Sequence, residues 1–135
     1  MIRRTAMLLI IVFLTGCSSS IQSGSGQGPT GEAALHEVGA MVQTFSGETH
    51  HGPKKASDLA KFENSFPLGY RAVQTGDVVL VWGATVAGEG EAKTAPVDVV
   101  AYEKKTPSEG GWVLLQNGNV KQMSAADFAA APKAK

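Results

Sequence analysis

Cysteine is nearly absent from this chain of 135 residues: Cys17 is the only one, so no disulfide can form within the chain. An excess of charge of either sign is absent too, since 12 Lys and Arg residues balance 12 Asp and Glu residues. No basic patch of the kind that nucleic acids require is visible, and we expect no nucleic-acid partner. Aromatic residues make up only 7% of the chain, so they are expected to mark a small core. The aromatic residues expected in that core are Tyr70, Trp82, Tyr102, Trp112 and the phenylalanines.

A hydrophobic run long enough to cross a membrane is also missing. A membrane-spanning helix needs about 20 apolar residues, whereas the apolar run near the N terminus covers only 6–14. Arg3 and Arg4 precede this run, and small residues follow it. Its length and flanks are typical of the apolar region of an export signal.

The apolar run ends in Leu14-Thr15-Gly16-Cys17, which resembles the lipobox of bacterial lipoproteins. The resemblance implies that residues 1–16 are a signal peptide and that cleavage falls between Gly16 and Cys17. It also implies a diacylglycerol on the sulfur of Cys17 and an acyl chain on the new amino terminus, which anchor the protein in a lipid bilayer. Several acyl chains, at about 0.8 kcal/mol per buried CH2, make such an anchor effectively permanent. The alternatives for Cys17 are a buried free thiol and one half of an intermolecular disulfide.

The lipobox also implies export. Ser18 after the cysteine is similar to the sorting signals that direct lipoproteins to the periplasmic face of the outer membrane; the inner membrane and the cell surface stay open as alternatives. Loss of 1–16 leaves ten basic residues against twelve acidic ones, a net charge of −2. Residues 17–31 are rich in Gly and Ser, and such a composition buries too little apolar surface to fold. We expect a flexible tether with an end-to-end distance of about 20 Å.

Residues 32–131 are expected to form a single α+β domain, in which an N-terminal helix packs on an antiparallel sheet of about four strands with short additional helices. The first helix is predicted over 32–45, with Gly47 as its stop. Its apolar residues recur at helical spacing; they are Leu35, Val38, Val42 and Phe45. We expect this face to contact Val79 and Val81. A second, short helix is predicted from a Ser57 cap through Phe62.

The second half of the chain is predicted to be mainly strands. Residues 70–73 are predicted as a short strand after a turn at 67–69. Residues 78–82 form a continuous apolar run, which favours a central strand buried on both faces. A further strand is predicted over 97–102, and 107–111 is predicted as a loop.

A β-hairpin is predicted where the apolar runs 112–115 and 120–123 flank Asn117-Gly118. Asn-Gly favours a two-residue type I′ turn, in which both residues have positive φ. That register would pair Leu115 with Val120.

A last short helix is predicted to begin at a Ser124 cap and to end at about Ala131, with Asp127 in a capping box. Met123 and Phe128 are placed to form a hydrophobic staple. Residues 132–135 are expected to be a frayed tail.

Three histidines are the candidate metal ligands: His36, His50 and His51. A zinc site needs three or four converging ligands. The predicted first helix rises about 15 Å between His36 and Ser46, which carries His36 away from His50 and His51. We therefore expect solvated histidines, no metal and no other cofactor.

No set of catalytic residues is apparent. The serines cluster in the tether, Cys17 is expected to be modified, and no Gly-x-Ser-x-Gly elbow occurs. A catalytic pair of carboxylates could be sought among Glu89, Glu91 and Asp98. However, glutamates in a Gly-rich loop are usually solvated, and we do not expect such a pair to catalyse a reaction. We predict that the protein is not an enzyme.

The order of the elements and one motif resemble the globular domain of bacterial pseudopilins. The motif is Gly110-Gly111, an apolar run, Asn117-Gly118 and Val120, with asparagine where the family has aspartate. The resemblance covers about residues 32–130 and implies a shared α+β layout. The long apolar N-terminal helix that drives filament assembly in that family is replaced here by the lipobox.

Two functions are consistent with the sequence. The first is a membrane-anchored lipoprotein that acts as an interaction or structural module of the cell envelope, with an envelope protein as its partner. The alternative is a periplasmic lipoprotein that binds a small ligand or a metal through His50, His51 and strand aromatics. Trp82, Tyr102 and Trp112 are the aromatics that such a pocket would use, although strand aromatics are more often part of a core.

Overall fold

The computed structural model describes residues 31–135, and these form the predicted α+β fold. Helices surround a four-stranded antiparallel sheet with strand order β1-β2-β3-β4. The α-helices are α1 (Gly31–Thr49), α2 (Pro67–Thr75), α3 (Thr106–Glu109) and α4 (Ala125–Ala130), and a 3-10 helix covers Ala56–Phe62. The strands are β1 (Val78–Leu80), β2 (Val99–Glu103), β3 (Gly111–Leu115) and β4 (Val120–Met123). The predicted signal peptide, Cys17 and almost all of the predicted tether lie outside the described residues. None of the helices within 31–135 combines the length and the apolar character that a membrane crossing requires.

Helix α1 packs on the sheet through the apolar face that its sequence predicts. Leu35, Val38 and Val42 are fully buried, and Phe45 is nearly so. The helix does not stop at Gly47, as predicted, but continues to Thr49. A glycine inside a helix costs only about 1 kcal/mol relative to alanine, and the burial of Phe45 together with an ion pair between Glu48 and Lys61 favours the extra turn.

Helix α2 replaces the strand predicted over 70–73 and the turn predicted over 67–69. Pro67 occupies its first turn, and Gly76 follows its last residue with a left-handed φ of 79°. Proline at the start and glycine just past the end are the pair of signals that favour a helix. Here they outweigh the strand propensity of Tyr70 and Val73, since the buried Tyr70 ring also packs in the main core.

The two long helices approach each other closely at Gly69. A Cβ atom there would lie 2.7 Å from Cβ of Glu37 and 2.8 Å from the backbone N of Val38. The carboxylate of Glu37 accepts a hydrogen bond from the backbone N–H of Gly69 at 2.8 Å. Glu37 thus places negative charge at the N terminus of α2, where the helix dipole favours it.

The 3-10 helix confirms the short helix predicted near Ser57 but not its cap. Its N-cap is Lys55 rather than Ser57. The carboxylate of Asp58 accepts hydrogen bonds from the backbone N–H groups of Lys54 at 2.9 Å and Lys55 at 3.2 Å. An acidic side chain in the first turn therefore holds the chain that leads into the helix, and Ser57 does not act as the cap.

Strand β1 is an edge strand, not the central strand that its apolar sequence favours. Val78 and Leu80 point into the core beneath α1, whereas Val79 is half-buried and points the other way. The prediction that Val79 faces α1 is therefore wrong by one residue, while Val81 packs at the margin of that core. Trp82 is not a core residue, since 43% of its surface is exposed.

The sheet has a core on each face. Trp112 and Leu114 of β3 pack towards α1, and the alternate residues Val113 and Leu115 pack on the opposite face with Phe128 of α4. This alternation is what a strand imposes on its side chains. A bulge between Val99 and Ala101 interrupts the alternation in β2.

The β3–β4 hairpin is confirmed, but its register and turn differ from the prediction. Leu114, not Leu115, pairs with Val120. Gly118 has a φ of 87°, and Asn117 does not have a positive φ, as a type I′ turn would require. The backbone N–H of Gly118 donates to the carbonyl of Leu115 at 2.9 Å, and that of Leu115 donates to the carbonyl of Asn119 at 2.9 Å. These bonds close a three-residue loop in which the glycine adopts the left-handed conformation.

The C-terminal region is more ordered than predicted. Ser124 caps α4 as expected, and its hydroxyl accepts the N–H of Asp127 at 3.1 Å. Residues 132–135 are not a frayed tail, because Val99 donates to the carbonyl of Pro132 and accepts from the N–H of Ala134, both at 2.9 Å. Ala134 is only 6% exposed, and the end of the chain forms an isolated parallel bridge between Lys133 and Val99 at the start of β2.

A short helix, α3, occupies most of the segment that was predicted as a loop over 107–111. Thr106 is fully buried at its start, and Gly110 ends it with a φ of 78°.

Candidate functional site

The domain has two ends that differ in character. Gly31, where α1 begins, lies against the side chain of Glu103 at the end of β2. We call this end the proximal pole. Helix α1 has 19 residues and is therefore about 28 Å long. Its last turn and His50 lie at the other end, the distal pole, together with the turn of the β3–β4 hairpin and residues 82–98.

Contacts at the distal pole bring the end of α1 to the end of β1. Gly52, two residues after His50, lies against the carbonyl groups of Gly83 and Ala84, where a Cβ would meet either oxygen. The backbone N–H of Gly83 donates to the carbonyl of Pro53 at 2.7 Å.

Exposed apolar surface is concentrated at the distal pole. Within 31–135, the large hydrophobic side chains that are exposed are Trp82, at 43%, and Val97, at 58%. Trp82 follows β1 and Val97 precedes β2, so both lie at the end of the sheet remote from Gly31. A tryptophan left half in water is a typical anchor for a protein partner.

A cleft of about 770 Å3 opens at the distal pole, and we call it the distal cleft. One wall is the end of α1. The others are 85–88, the turn that includes Glu91 and 94–96, and the side of the hairpin at Gln116.

Hydrogen bonds join the walls of the distal cleft. The side-chain amide of Gln43 donates to the carbonyl of Ala87 at 3.2 Å. The backbone N–H of Ala87 donates to the carbonyl of Gln116, and that of Gln116 to the carbonyl of Asp98, both at 2.8 Å. This chain of bonds fixes α1, 85–88, the hairpin and the start of β2 relative to one another.

Ser46 of α1 and His50, which follows the helix, both contribute polar groups to the wall of the distal cleft. The hydroxyl oxygen of Ser46 is buried and has no hydrogen-bond partner. His50 adopts a φ of 62°, the only positive φ outside glycine in 31–135. That conformation is disfavoured for a side chain with a Cβ, and here it ends α1 while placing His50 in the wall of the cleft.

The three histidines do not converge. His36 is 61% exposed, and its nearest carboxylate, that of Glu32, is 4.0 Å away. The Nδ1 atom of His51 lies 3.0 Å from the carbonyl oxygen of Gly52, and its ring meets Phe45 edge-on. Of the three, only His50 lines the cleft. Among the described residues, no three His, Cys, Asp or Glu side chains are close enough together to hold a metal ion.

The other residues singled out in the sequence are also separated. Glu91 lines the distal cleft, whereas Glu89 and Asp98 do not. Tyr102 packs on the Phe128 ring at 4.7 Å, on the face of the sheet opposite to Trp112.

A second concave surface, the hairpin groove, lies on the other side of the β3–β4 turn. It encloses about 580 Å3 between β4 and the segment Ala131–Pro132, with Val97 in its wall. The hairpin turn therefore separates two concave surfaces at the distal pole.

Sequence reasoning missed Gln43, Ser46 and Gln116, which line the distal cleft. Gln43 and Ser46 lie three residues apart on the polar face of α1, a spacing that any solvated helix face shows. Only the return of 84–96 over that face distinguishes them.

Comparisons with known proteins identify no relative: no protein-family model matches the chain, and neither curated proteins nor solved structures give a match.

Proposed function

We propose that this chain is an exported lipoprotein, anchored by an acylated Cys17, that acts as an interaction or structural module of the cell envelope and not as an enzyme. The observation that carries the proposal is the direction of α1, which runs from the proximal pole to the distal pole. Gly31, the described residue nearest in sequence to Leu14-Thr15-Gly16-Cys17, lies at the proximal pole, while Trp82 and both concave surfaces lie at the distal pole.

This arrangement suits a tethered partner-binding protein. A domain held by the proximal pole can present its distal pole away from the bilayer. Tethering raises the effective concentration of the domain near a membrane partner without any added contact. Exposed Trp82 and Val97 offer apolar anchors for a protein surface. The net charge of −2 after removal of 1–16 does not favour binding to the negatively charged backbone of a nucleic acid.

The anchor is tested by metabolic labelling with a fatty acid that carries an alkyne. The expected result is label in the wild-type chain and none in Cys17→Ser, which should also leave the membrane fraction or remain uncleaved. Ser19→Ala is the matched control and should label normally. Label retained in Cys17→Ser, or unchanged partitioning of that variant into membranes, would contradict the anchor.

The partner surface is tested by a photo-crosslinking residue introduced at single positions in intact cells. We expect one discrete crosslinked envelope protein from position 82 or 97 at the distal pole. Position 109, an exposed residue of α3 at the proximal pole, is the control and should give no such product. Equal crosslinking from both poles would refute the assignment of the distal pole.

We further propose the periplasmic face of the outer membrane as the location, on the similarity of Ser18 to lipoprotein sorting signals. Separation of inner and outer membranes on a density gradient tests this. Recovery with the inner membrane, or accessibility to protease on intact cells, would assign the protein to one of the alternatives.

A further inference from the structure

We infer that the distal cleft binds a small hydroxyl-rich molecule that is uncharged or carries an amino group, with an amino sugar as the representative ligand. This inference goes beyond the envelope contact proposed above and does not depend on the acylation of Cys17. The volume of the cleft, about 770 Å3, falls within the ~300–1,000 Å3 typical of small-molecule sites.

The walls of the cleft offer hydrogen bonds together with apolar contact from Val86, Ala95 and Pro96. Gln43 and Gln116 contribute amides, while Ser46, Thr85 and Thr94 contribute hydroxyls. Each amide and each hydroxyl can both donate and accept, which matches the hydroxyl groups of a polyol. The lining has no Phe, Tyr or Trp, and its one aromatic ring is the imidazole of His50, so a large planar ligand would find little surface to stack on.

The charge of the lining selects between kinds of polyol. Glu91 is the only acidic residue in the lining, and His50 is its only basic residue. A ligand ammonium group near this carboxylate gains Coulomb attraction, whereas a ligand carboxylate would be repelled. The cleft therefore favours an amino sugar over a neutral sugar, and a neutral sugar over a sugar acid.

Ser46 supplies an independent sign of a missing partner. Thr44 and Thr49 in the same helix donate their hydroxyls to carbonyls four residues earlier, at 2.8 and 2.7 Å. The buried hydroxyl of Ser46 makes no such bond. Buried polar groups without a partner are rare and call for an explanation. Ser46 lies in the wall of the cleft, and rotation of its side chain towards a bound ligand would give the hydroxyl the partner that the helix does not.

The direct test is a titration followed by two-dimensional amide NMR. The sample is the chain from residue 17 onward with Cys17→Ser, which retains the whole mature sequence without its lipid. Glucosamine at millimolar concentration should shift the amides of Ser46, Gly88 and Gln116. N-acetylglucosamine should bind about tenfold more weakly because it lacks the charge, and glucuronate more weakly still. No shift at these amides, or binding that ignores the charge of the sugar, would overturn the inference.

Ser46→Ala separates binding from stability. Removal of an unpartnered buried hydroxyl should raise Tm of the free chain by roughly 4–8 °C, while it weakens glucosamine binding about five- to tenfold. Thr44→Ala is the matched control, since that hydroxyl is exposed and bonded within its own helix; its affinity should be unchanged. A Ser46→Ala variant that keeps full affinity would remove the hydroxyl from the site.

Glu91→Gln tests the charge selectivity. The variant should bind glucosamine and N-acetylglucosamine with equal affinity, because the amide retains hydrogen bonding without the negative charge. Preserved preference for glucosamine in Glu91→Gln would show that the carboxylate does not select the amine.

Discussion

The contact between α1 and α2 makes a sharp prediction for Gly69→Ala. In most helical positions, alanine in place of glycine is favourable by about 1 kcal/mol because glycine loses more backbone entropy on folding. At Gly69 the added Cβ would lie 2.7 Å from Cβ of Glu37 and 2.8 Å from the backbone N of Val38. Neither neighbour is the free end of a flexible side chain, so α1 and α2 must move apart.

The magnitude follows from the distances. Carbon atoms in contact lie about 3.5–4.0 Å apart, so the helices must separate by roughly 0.8 Å. Overpacking of this kind costs about 1–3 kcal/mol. The same movement weakens the charge-assisted bond from the N–H of Gly69 to Glu37, worth about 1.5–3 kcal/mol. After the gain in helix propensity is subtracted, we expect Gly69→Ala to lower the free energy of unfolding by about 2–4 kcal/mol. The free energy of unfolding of a whole domain is about 5–15 kcal/mol.

The assay is thermal and urea unfolding of the mature chain with Cys17→Ser. Tm of Gly69→Ala should fall by roughly 10–20 °C. Gly47→Ala is the matched control, because Gly47 lies inside α1 and a Cβ there meets nothing within 4 Å; its Tm should rise by a few degrees. A Gly69→Ala variant as stable as the wild type would refute the close crossing of the two helices.

Changes at three further sites also test the fold. In Glu37→Ala the free energy of unfolding in urea should fall by about 1–2 kcal/mol, since the carboxylate caps α2. The fall should be smaller in Glu37→Gln because the amide oxygen still accepts the hydrogen bond. In Gly118→Ala the free energy of unfolding should fall by about 1–2 kcal/mol because an alanine must adopt the positive φ of this position. Unfolding at the wild-type urea midpoint would contradict this. Removal of 133–135 should lower Tm by several degrees, since it takes away the bond from Ala134 to Val99; an unchanged Tm would mean that the tail contributes no stability.

The sequence predicted the elements whose signals are local and consistent. The apolar stripe of α1, the hairpin and the Ser124 cap each combine pattern and end signals within a few residues. The prediction is wrong for α2, where a strand is expected over 70–73 and a helix is found. Pro67 and Gly76 are the helix start and end signals in the sequence, and they outweigh the strand propensity of 70–73. The edge position of β1 could not be read from an apolar run, since its burial depends on which elements cover the sheet.

The candidate site could be predicted only in part. His50 and Glu91 were recognised as residues of interest from their type, but nothing local joins them to Gln43 or Gln116. The distal cleft exists because 84–96 returns over the end of α1 and is held there by the bonds of Ala87. Such long-range returns leave no periodicity in the sequence.

The departures from local rules at the distal pole point in one direction. Gly47 persists inside a helix, His50 takes a left-handed conformation, Ser46 keeps a buried hydroxyl without a partner, and Trp82 remains 43% exposed. Each departure costs stability, and sequences that fold well rarely accumulate such costs in one place unless function requires it. Among the described residues, no comparable group of departures lies at the proximal pole, where Gly31 meets Glu103 and the half-buried carboxylate of Glu103 accepts a hydrogen bond from the backbone N–H of Trp112 at 2.7 Å. The residues of the proximal pole therefore contribute mainly to stability, and we expect binding at the distal pole.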